Sequence, residues 1–279
     1  MGELVEAEVH ADIGAFDELT RSRYAQDPVA HTTAITNLNR VRILQSDDPL
    51  ILVTFHDGDE VVGSLFRHAP WPAQLSDLPA DAVDTAVDVL RRIDPELPRV
   101  YGPKEISETF AARWSPEPQV VMSNRLYRLS ELEPPDVPGT FRLADESDVP
   151  LLTRWRTDFM TEALPHEWVG PPQEEMVRRS IAMGSGNAIW ERDGTPVAWA
   201  VTGRPIDGMT RIGPVYTPLE HRRHGCGAAV TAAVSRWAQH EGADHVVLFA
   251  DLLNPVSNSI YQRIGFRAVS DWTEYSWKR

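Results

Sequence analysis

The stretch Arg222-Arg223-His224-Gly225-Cys226-Gly227-Ala228 joins basic side chains to two glycines, and it lies between two different patterns. Before it runs an apolar segment, 212–216. After it, Val230, Ala233, Val234 and Trp237 recur at the spacing of one helix face. The order is strand, glycine-rich turn, helix. The first turn of a helix leaves backbone N–H groups unpaired and carries a partial positive charge. Glycines let an anion approach that backbone with no Cβ in the way. The chemistry on offer is therefore a cradle for a pyrophosphate. Two well-known cradles do not fit. No Gly-Lys-Ser/Thr occurs, and Val230 stands where the dinucleotide fingerprint needs a third glycine. What remains is Arg-x-x-Gly-x-Gly, beside the plain alternative of a helix that merely begins with glycines. Helix N-termini activate thiols, but Cys226 has no identifiable partner in the sequence and reads as structural. His221 and His224 bracket the arginines without the clustered ligands a metal needs, so no metal is expected.

Downstream, residues 245–250 (His-Val-Val-Leu-Phe-Ala) form an apolar, β-branched run that reads as a buried strand. Residues 251–266 follow, with Asn254, Asn258, Tyr261 and then Gly265-Phe266. They read as a short helix stopped at Gly265. Taken with Arg-x-x-Gly-x-Gly, this order and spacing resemble the GNAT superfamily of acyl-coenzyme A-dependent N-acyltransferases, whose loop reads Arg/Gln-x-x-Gly-x-Gly/Ala. The resemblance spans residues 139–279.

It implies an enzyme that moves an acetyl group from acetyl-coenzyme A, as co-substrate, to a primary amine by direct attack on the thioester. Such a reaction needs the thioester held, the amine deprotonated, the oxyanion stabilised and the thiolate protonated. The resemblance assigns the pyrophosphate to the amides of Arg223, His224, Gly225, Cys226, Gly227 and Ala228, with Arg222 and Arg223 able to add charge. It implies that the strand ending in Val215, Tyr216 and Thr217 splays from its neighbour to admit the pantetheine arm. An amide of Val215 or Tyr216 then stabilises the oxyanion; plain sheet pairing is the alternative. Tyr261 corresponds to the tyrosine near the sulfur and is the candidate general acid, with a packed aromatic as the alternative. Asn254 and Asn258 would bond the pantetheine amides, though Asn254 before Pro255 also fits simple turn chemistry. No base is readable, because residues 211–216 contain no Glu; Glu162, His166 and Glu167 lie where acceptor-facing residues fall. A noncatalytic acyl-coenzyme A-binding regulator and a mycothiol-synthase-like tandem acetyltransferase remain open. A tRNA-using aminoacyltransferase with two related halves fits the retained loop and acidic balance less well.

Of 279 residues, 41 are acidic and 27 basic, a net charge of −14 that disfavours nonspecific nucleic-acid binding and anionic membranes. A cationic small-molecule or protein amine suits it better. One cysteine excludes an internal disulfide and fits a reducing cytoplasm. No stretch reads as a signal or transit peptide or a long apolar span, and Glu6 breaks a myristoylation signal. The expected state is a monomer or homodimer.

Three prolines within 131–139 suggest an extended linker. After it the pattern reads strand (140–144), helices (149–164 and 171–183), a hairpin (188–192 and 196–202) turning at Asp193-Gly194, a strand (211–217), the loop and its helix, then strand, helix and a weakly alternating tail at 267–279 that suggests a closing strand pair. Residues 1–130 repeat this grammar with helices at 13–25, 29–38, 78–93 and 105–114, a hairpin at 50–55 and 60–66, and a short strand at 100–103, but with no glycine loop. The expected fold is mixed-sheet α/β: a degenerate GNAT-like domain over 1–130, a linker over 131–139, and a catalytic domain over 140–279. An unrelated α+β first domain is the alternative.

Overall fold

The computed structural model describes residues 5–44, 48–163 and 170–277. In chain order the elements are β1 (Glu6–His10), α1 (Ile13–Gln26), α2 (Thr32–Leu44), β2 (Leu50–Asp57), β3 (Glu60–His68), β4 (Ala73–Asp77), α3 (Val83–Ile93), β5 (Arg99–Pro103), α4 (Lys104–Trp114) and β6 (Pro118–Leu129). There follow β7 (Thr140–Leu143), α5 (Val149–Ala163), α6 (Gln173–Ala182), β8 (Gly186–Arg192), β9 (Thr195–Thr202), β10 (Met209–Tyr216), α7 (Cys226–His240), β11 (His245–Asp251), α8 (Pro255–Arg263) and β12 (Phe266–Trp277). The chain forms two compact units, 1–125 with 270–279, and 126–269. Residues 270–277 of β12 thus count with the first unit. The tail is one long strand rather than a closing pair, since its weak alternation runs on without a turn residue to break it.

The first unit carries a mixed sheet. β1, β2, β3 and β4 pair antiparallel in turn, and β4 runs parallel to β5, with α3 as the crossover. β5 pairs antiparallel with the end of β12, Trp272 opposite Pro103. Val83, Ala86, Val87 and Leu90 of α3 fall on one helix face and pack with Phe55, Leu65, Leu75, Val100 and Phe110. Removing that much apolar surface from water is the main stabilising term. β1, β4 and β6 have no counterpart in the sequence reading, because their short or polar-rich runs carry little periodic signal.

In the second unit β7, β8, β9 and β10 are antiparallel neighbours, and β10 is parallel to β11 through α7. The β8–β9 turn has Asp193 and Gly194 both at positive φ, 50° and 74°, as a tight hairpin with the strands' twist requires. α7 lays Val230, Val234 and Ala238 on Ile212, Val246 and Leu248. α5 starts at a capping box: Asp145 accepts from the Ser147 amide at 2.8 Å, and Asp148 accepts from the Asp145 amide at 2.9 Å. Arg142 grips Asp148 with two nitrogens, at 2.6 and 2.8 Å, and holds that carboxyl below its usual range. Both units are mixed α/β, and among the described residues no helix is long and apolar enough to cross a membrane.

Candidate active site

Four features build the site, three of them at the carboxyl end of β10 and the fourth on α8 after β11. The first is a gap between strands. β10 and β11 pair from Met209–His245 only as far as Ile212–Leu248, although β10 continues to Tyr216 and β11 to Asp251. On its other side β10 stays paired with β9, Val215 opposite Ala200 and Tyr216 opposite Trp199, after a shift of register between Ile212 and Val215. In an antiparallel pair alternate residues turn their amides away from the partner. One amide of Val215 and Tyr216 therefore faces the unpaired side.

The second feature is the glycine loop. Gly225 caps α7 in the left-handed region, φ 78°, and a Cβ there would stand 2.7 Å from Val137 Cγ2. Arg223 is also left-handed, φ 67°, a conformation that a non-glycine residue adopts at a cost. The first intrahelical bond runs from the Ala229 amide to the Gly225 carbonyl at 3.0 Å. By helix geometry the amides of Cys226, Gly227 and Ala228 then have no carbonyl one turn back. Arg223, His224 and Gly225 are exposed, whereas the Cys226 and Ala228 side chains are buried in the core. The thiol thus sits in packing, with its backbone in the loop. His224 Nδ1 lies 3.4 Å from the His221 carbonyl.

The third feature is a cluster that the sequence did not join. Glu162, near the end of α5, accepts from Tyr216 Oη at 3.2 Å and from Arg222 Nη2 at 2.6 Å. Arg222 also donates through Nε to the Thr217 carbonyl at 2.8 Å, and its guanidinium lies over the Tyr216 ring at 5.7 Å. Tyr216 is nearly buried; burial, then Glu162 and Asp158, push its phenol up. Arg222 thereby ties the start of the loop to the end of α5. His166 and Glu167 lie outside the described residues.

The fourth feature is α8. Tyr261 is half-buried, its ring edge-on to Phe266 at 6.2 Å and tilted to Tyr127 at 6.5 Å. Burial pushes its phenol up to about 12, so the group sits above its usual value and stays protonated across the neutral range. Among the described residues nothing hydrogen-bonds its hydroxyl. Asn258 differs. Its amide nitrogen donates to the carbonyls of Asp251 and Asn254, both at 2.7 Å, and its oxygen accepts from Tyr127 Oη at 2.8 Å. Asn254 caps α8 by accepting from the Ser257 amide at 3.1 Å. Both asparagines thus carry structural bonds within the protein. The signal that could have suggested this was Asn254-Pro255, a helix-start pattern. Tyr127 was not legible, being more than 120 positions away in the chain. Among the described residues no three His, Cys, Asp or Glu side chains gather around one point.

The β10 edge beyond Ile212 and the helix start at Gly225 thus lie next to one another in the chain. Residues 149–266 match the Acetyltransferase (GNAT) family. The chain is similar to the uncharacterized N-acetyltransferase YobR of Bacillus subtilis (strain 168), 32% identical over 66 residues, 24% of this chain and 27% of that protein. The chain thus matches about a quarter of that relative's length. Among solved structures, a GNAT-family acetyltransferase from Colwellia psychrerythraea has a TM-score of 0.64 at 10% identity, covering 98% of this chain and 100% of its own. A GCN5-related N-acetyltransferase from Kribbella flavida has a TM-score of 0.59 at 20% identity, covering 89% and 95%. A tandem GNAT protein from the clavulanic acid biosynthesis pathway, without acetyl-coenzyme A, has a TM-score of 0.60 at 13% identity, covering 98% of each chain. At these identities the likeness is one of fold.

Proposed function

We propose that the second unit transfers an acetyl group from acetyl-coenzyme A to a primary amine, small or on a protein. The observation that carries this is the loss of β10–β11 pairing after Ile212–Leu248, directly before the helix start at Gly225. Pantetheine would pair with the free edge of β10, and the pyrophosphate would rest on the amides of 223–228. The amine nitrogen attacks the thioester carbon, and the amide of Val215 or Tyr216 that faces the gap stabilises the oxyanion. The carbon–sulfur bond then breaks, and the Tyr261 hydroxyl, free of internal partners, gives its proton to the thiolate. The surplus amine proton leaves through water. Glu162 is held by Arg222 and Tyr216, which suits it to fix one wall of the acceptor side more than to act as the base. The first unit lacks the glycine loop and would bind no coenzyme A. Catalytic boundaries near 140, a cytoplasmic setting and a monomeric or homodimeric state belong to the same proposal; the one cysteine, buried and unpaired, fits a reducing compartment. The test is thiol release from acetyl-coenzyme A across an amine panel, with calorimetry of acetyl-coenzyme A alone. Binding without acetylation of any amine would favour the regulator reading; absence of binding would remove both.

A further inference from the structure

The first unit contains a second concentration of polar chemistry, remote in sequence from the glycine loop. β3 and β4 are in register with Phe66 opposite Gln74 and Ser64 opposite Asp77. Side chains alternate along a strand, so Ser64, Phe66 and His68 share one face, and Gln74 shares it too. At the Ser64 end the polar groups form one network, with His31 Nδ1 alone among them buried without a partner. Tyr24 Oη meets Ser64 Oγ at 2.7 Å, Ser64 donates to Asp77 at 2.8 Å, and Arg23 grips Asp77 at 2.8 and 3.1 Å.

At the His68 end the matching fails. Both ring nitrogens of His68 and Oε1 of Gln74 are buried without a hydrogen-bond partner, and so is Oγ1 of Thr33 on α2, the helix that packs on β4. The three residues are 6%, 6% and 2% exposed. Gln74 cannot be turned to relieve this, because its Nε2 donates to the Pro72 carbonyl at 3.2 Å. Asp48 is 3.8 Å from His68 Nε2, beyond hydrogen-bond reach, and mostly exposed. Arg40 stands seven residues after Thr33, two turns along the same helix face. Its guanidinium lies over the Trp71 ring at 5.6 Å; burial first, and then Arg40 against the opposing pull of Asp48, lower the His68 imidazole from its usual value. Among the described residues no carboxylate pairs with Arg40. Arg23, Arg67 and Arg99 of the same unit pair with Asp77, Asp94 and Glu274. Buried polar atoms are nearly always satisfied, and several orphans together with an unpaired cation mark a place where something else completes the bonding.

We propose that Thr33, Arg40, His68, Trp71 and Gln74 form a binding site for a small carboxylate that carries a hydrogen-bond donor on the adjacent carbon, an α-hydroxy or α-amino acid. The carboxylate meets the Arg40 guanidinium and the His68 N–H. The hydroxyl or amino group donates to Gln74 Oε1, which can only accept, and Thr33 adapts to either partner. This site does not depend on acyl transfer by the second unit.

The test uses the full chain and three probes, glycolate, L-alanine and acetate, followed by saturation-transfer NMR and by thermal shift in the absence of acetyl-coenzyme A. Glycolate or L-alanine is expected to bind saturably, and acetate, which lacks the donor, more weakly. Arg40→Gln should weaken binding at least roughly tenfold, the usual size of a hydrogen bond to a charge. Gln74→Met, which removes the acceptor while keeping the side chain's bulk, should erase the preference over acetate and serves as the second variant if Arg40→Gln does not fold. The proposal is overturned if neither glycolate nor L-alanine binds, as when water alone satisfies these atoms. Binding that is unchanged in both variants overturns it as well.

Discussion

Gly227 occupies the second position of α7 with ordinary helical backbone, and among the described residues the one outside atom within 4 Å of a Cβ built there is Thr217 Oγ1, at 3.3 Å. Gly227→Asp is therefore compatible with the fold. Glycine is about 1 kcal/mol poorer than alanine inside a helix, and an acidic residue in the first turn adds about 0.3–1 kcal/mol through the helix dipole. Stability should be unchanged or slightly higher. Coenzyme A binding should move the other way. A negative charge about 5 Å from a phosphate costs about 3 kcal/mol at an effective dielectric of about 20. The loop is partly solvated, and screening reduces this to about 1.5–3 kcal/mol, a loss of affinity of about ten- to a hundredfold. Gly225→Asp is a poorer probe, because φ 78° and the 2.7 Å approach to Val137 would strain the fold itself. The assay is calorimetric titration with acetyl-coenzyme A beside a thermal melt. A Gly227→Asp protein that melts like the parent and binds acetyl-coenzyme A equally well would refute the phosphate-cradle assignment.

Four further outcomes are expected. Tyr261→Phe should cut turnover at least about tenfold with acetyl-coenzyme A affinity little changed, the pattern for a proton donor that matters as charge develops on sulfur; an unchanged rate would leave Tyr261 as packing. Asn258→Ala should lower the melting temperature by the equivalent of about 1–3 kcal/mol, because it removes three hydrogen bonds and leaves the Asp251 and Asn254 carbonyls with backbone donors only and the Tyr127 hydroxyl with the Gln262 amide only; if it costs affinity instead, its bonds serve the ligand. Asp148 has its folded-state pKa lowered, first by the Arg142 hydrogen bonds, so its contribution is present above the unfolded carboxylate pKa and fades as pH falls through the folded one. Asp148→Asn should thus lower stability at neutral pH and flatten the acid limb of a denaturation profile. Titration of the whole chain should give one acetyl-coenzyme A per chain, and two would show that the first unit also binds it.

Much of the second unit was legible because its information is local. Apolar periods placed α5, α6 and α7, Asp193-Gly194 placed a hairpin, and a strand followed by Gly225-x-Gly227 placed a helix start with its unpaired amides. In the first unit, α3 showed itself through Val83, Ala86, Val87 and Leu90, while β1, β4 and the polar-rich β6 did not, because strands with little alternation are decided by their neighbours. Asn254 before Pro255 already allowed a turn role in the sequence, whereas the bonds of Asn258 became visible only when Tyr127 arrived from β6.

By itself the sequence determined what each segment can offer its surroundings: a helix start open to an anion, an aromatic on a short helix, a first half without a glycine loop. Only tertiary structure decided which groups meet. It ended the β10–β11 ladder at Ile212–Leu248, because register between parallel strands is set by packing across α7 and not by either strand alone. It also brought Glu162 to Arg222 across 60 positions, and buried polar atoms of His68, Gln74 and Thr33 without partners. Pairings between distant residues depend on how whole faces bury their apolar surface, and a linear pattern does not contain that distance.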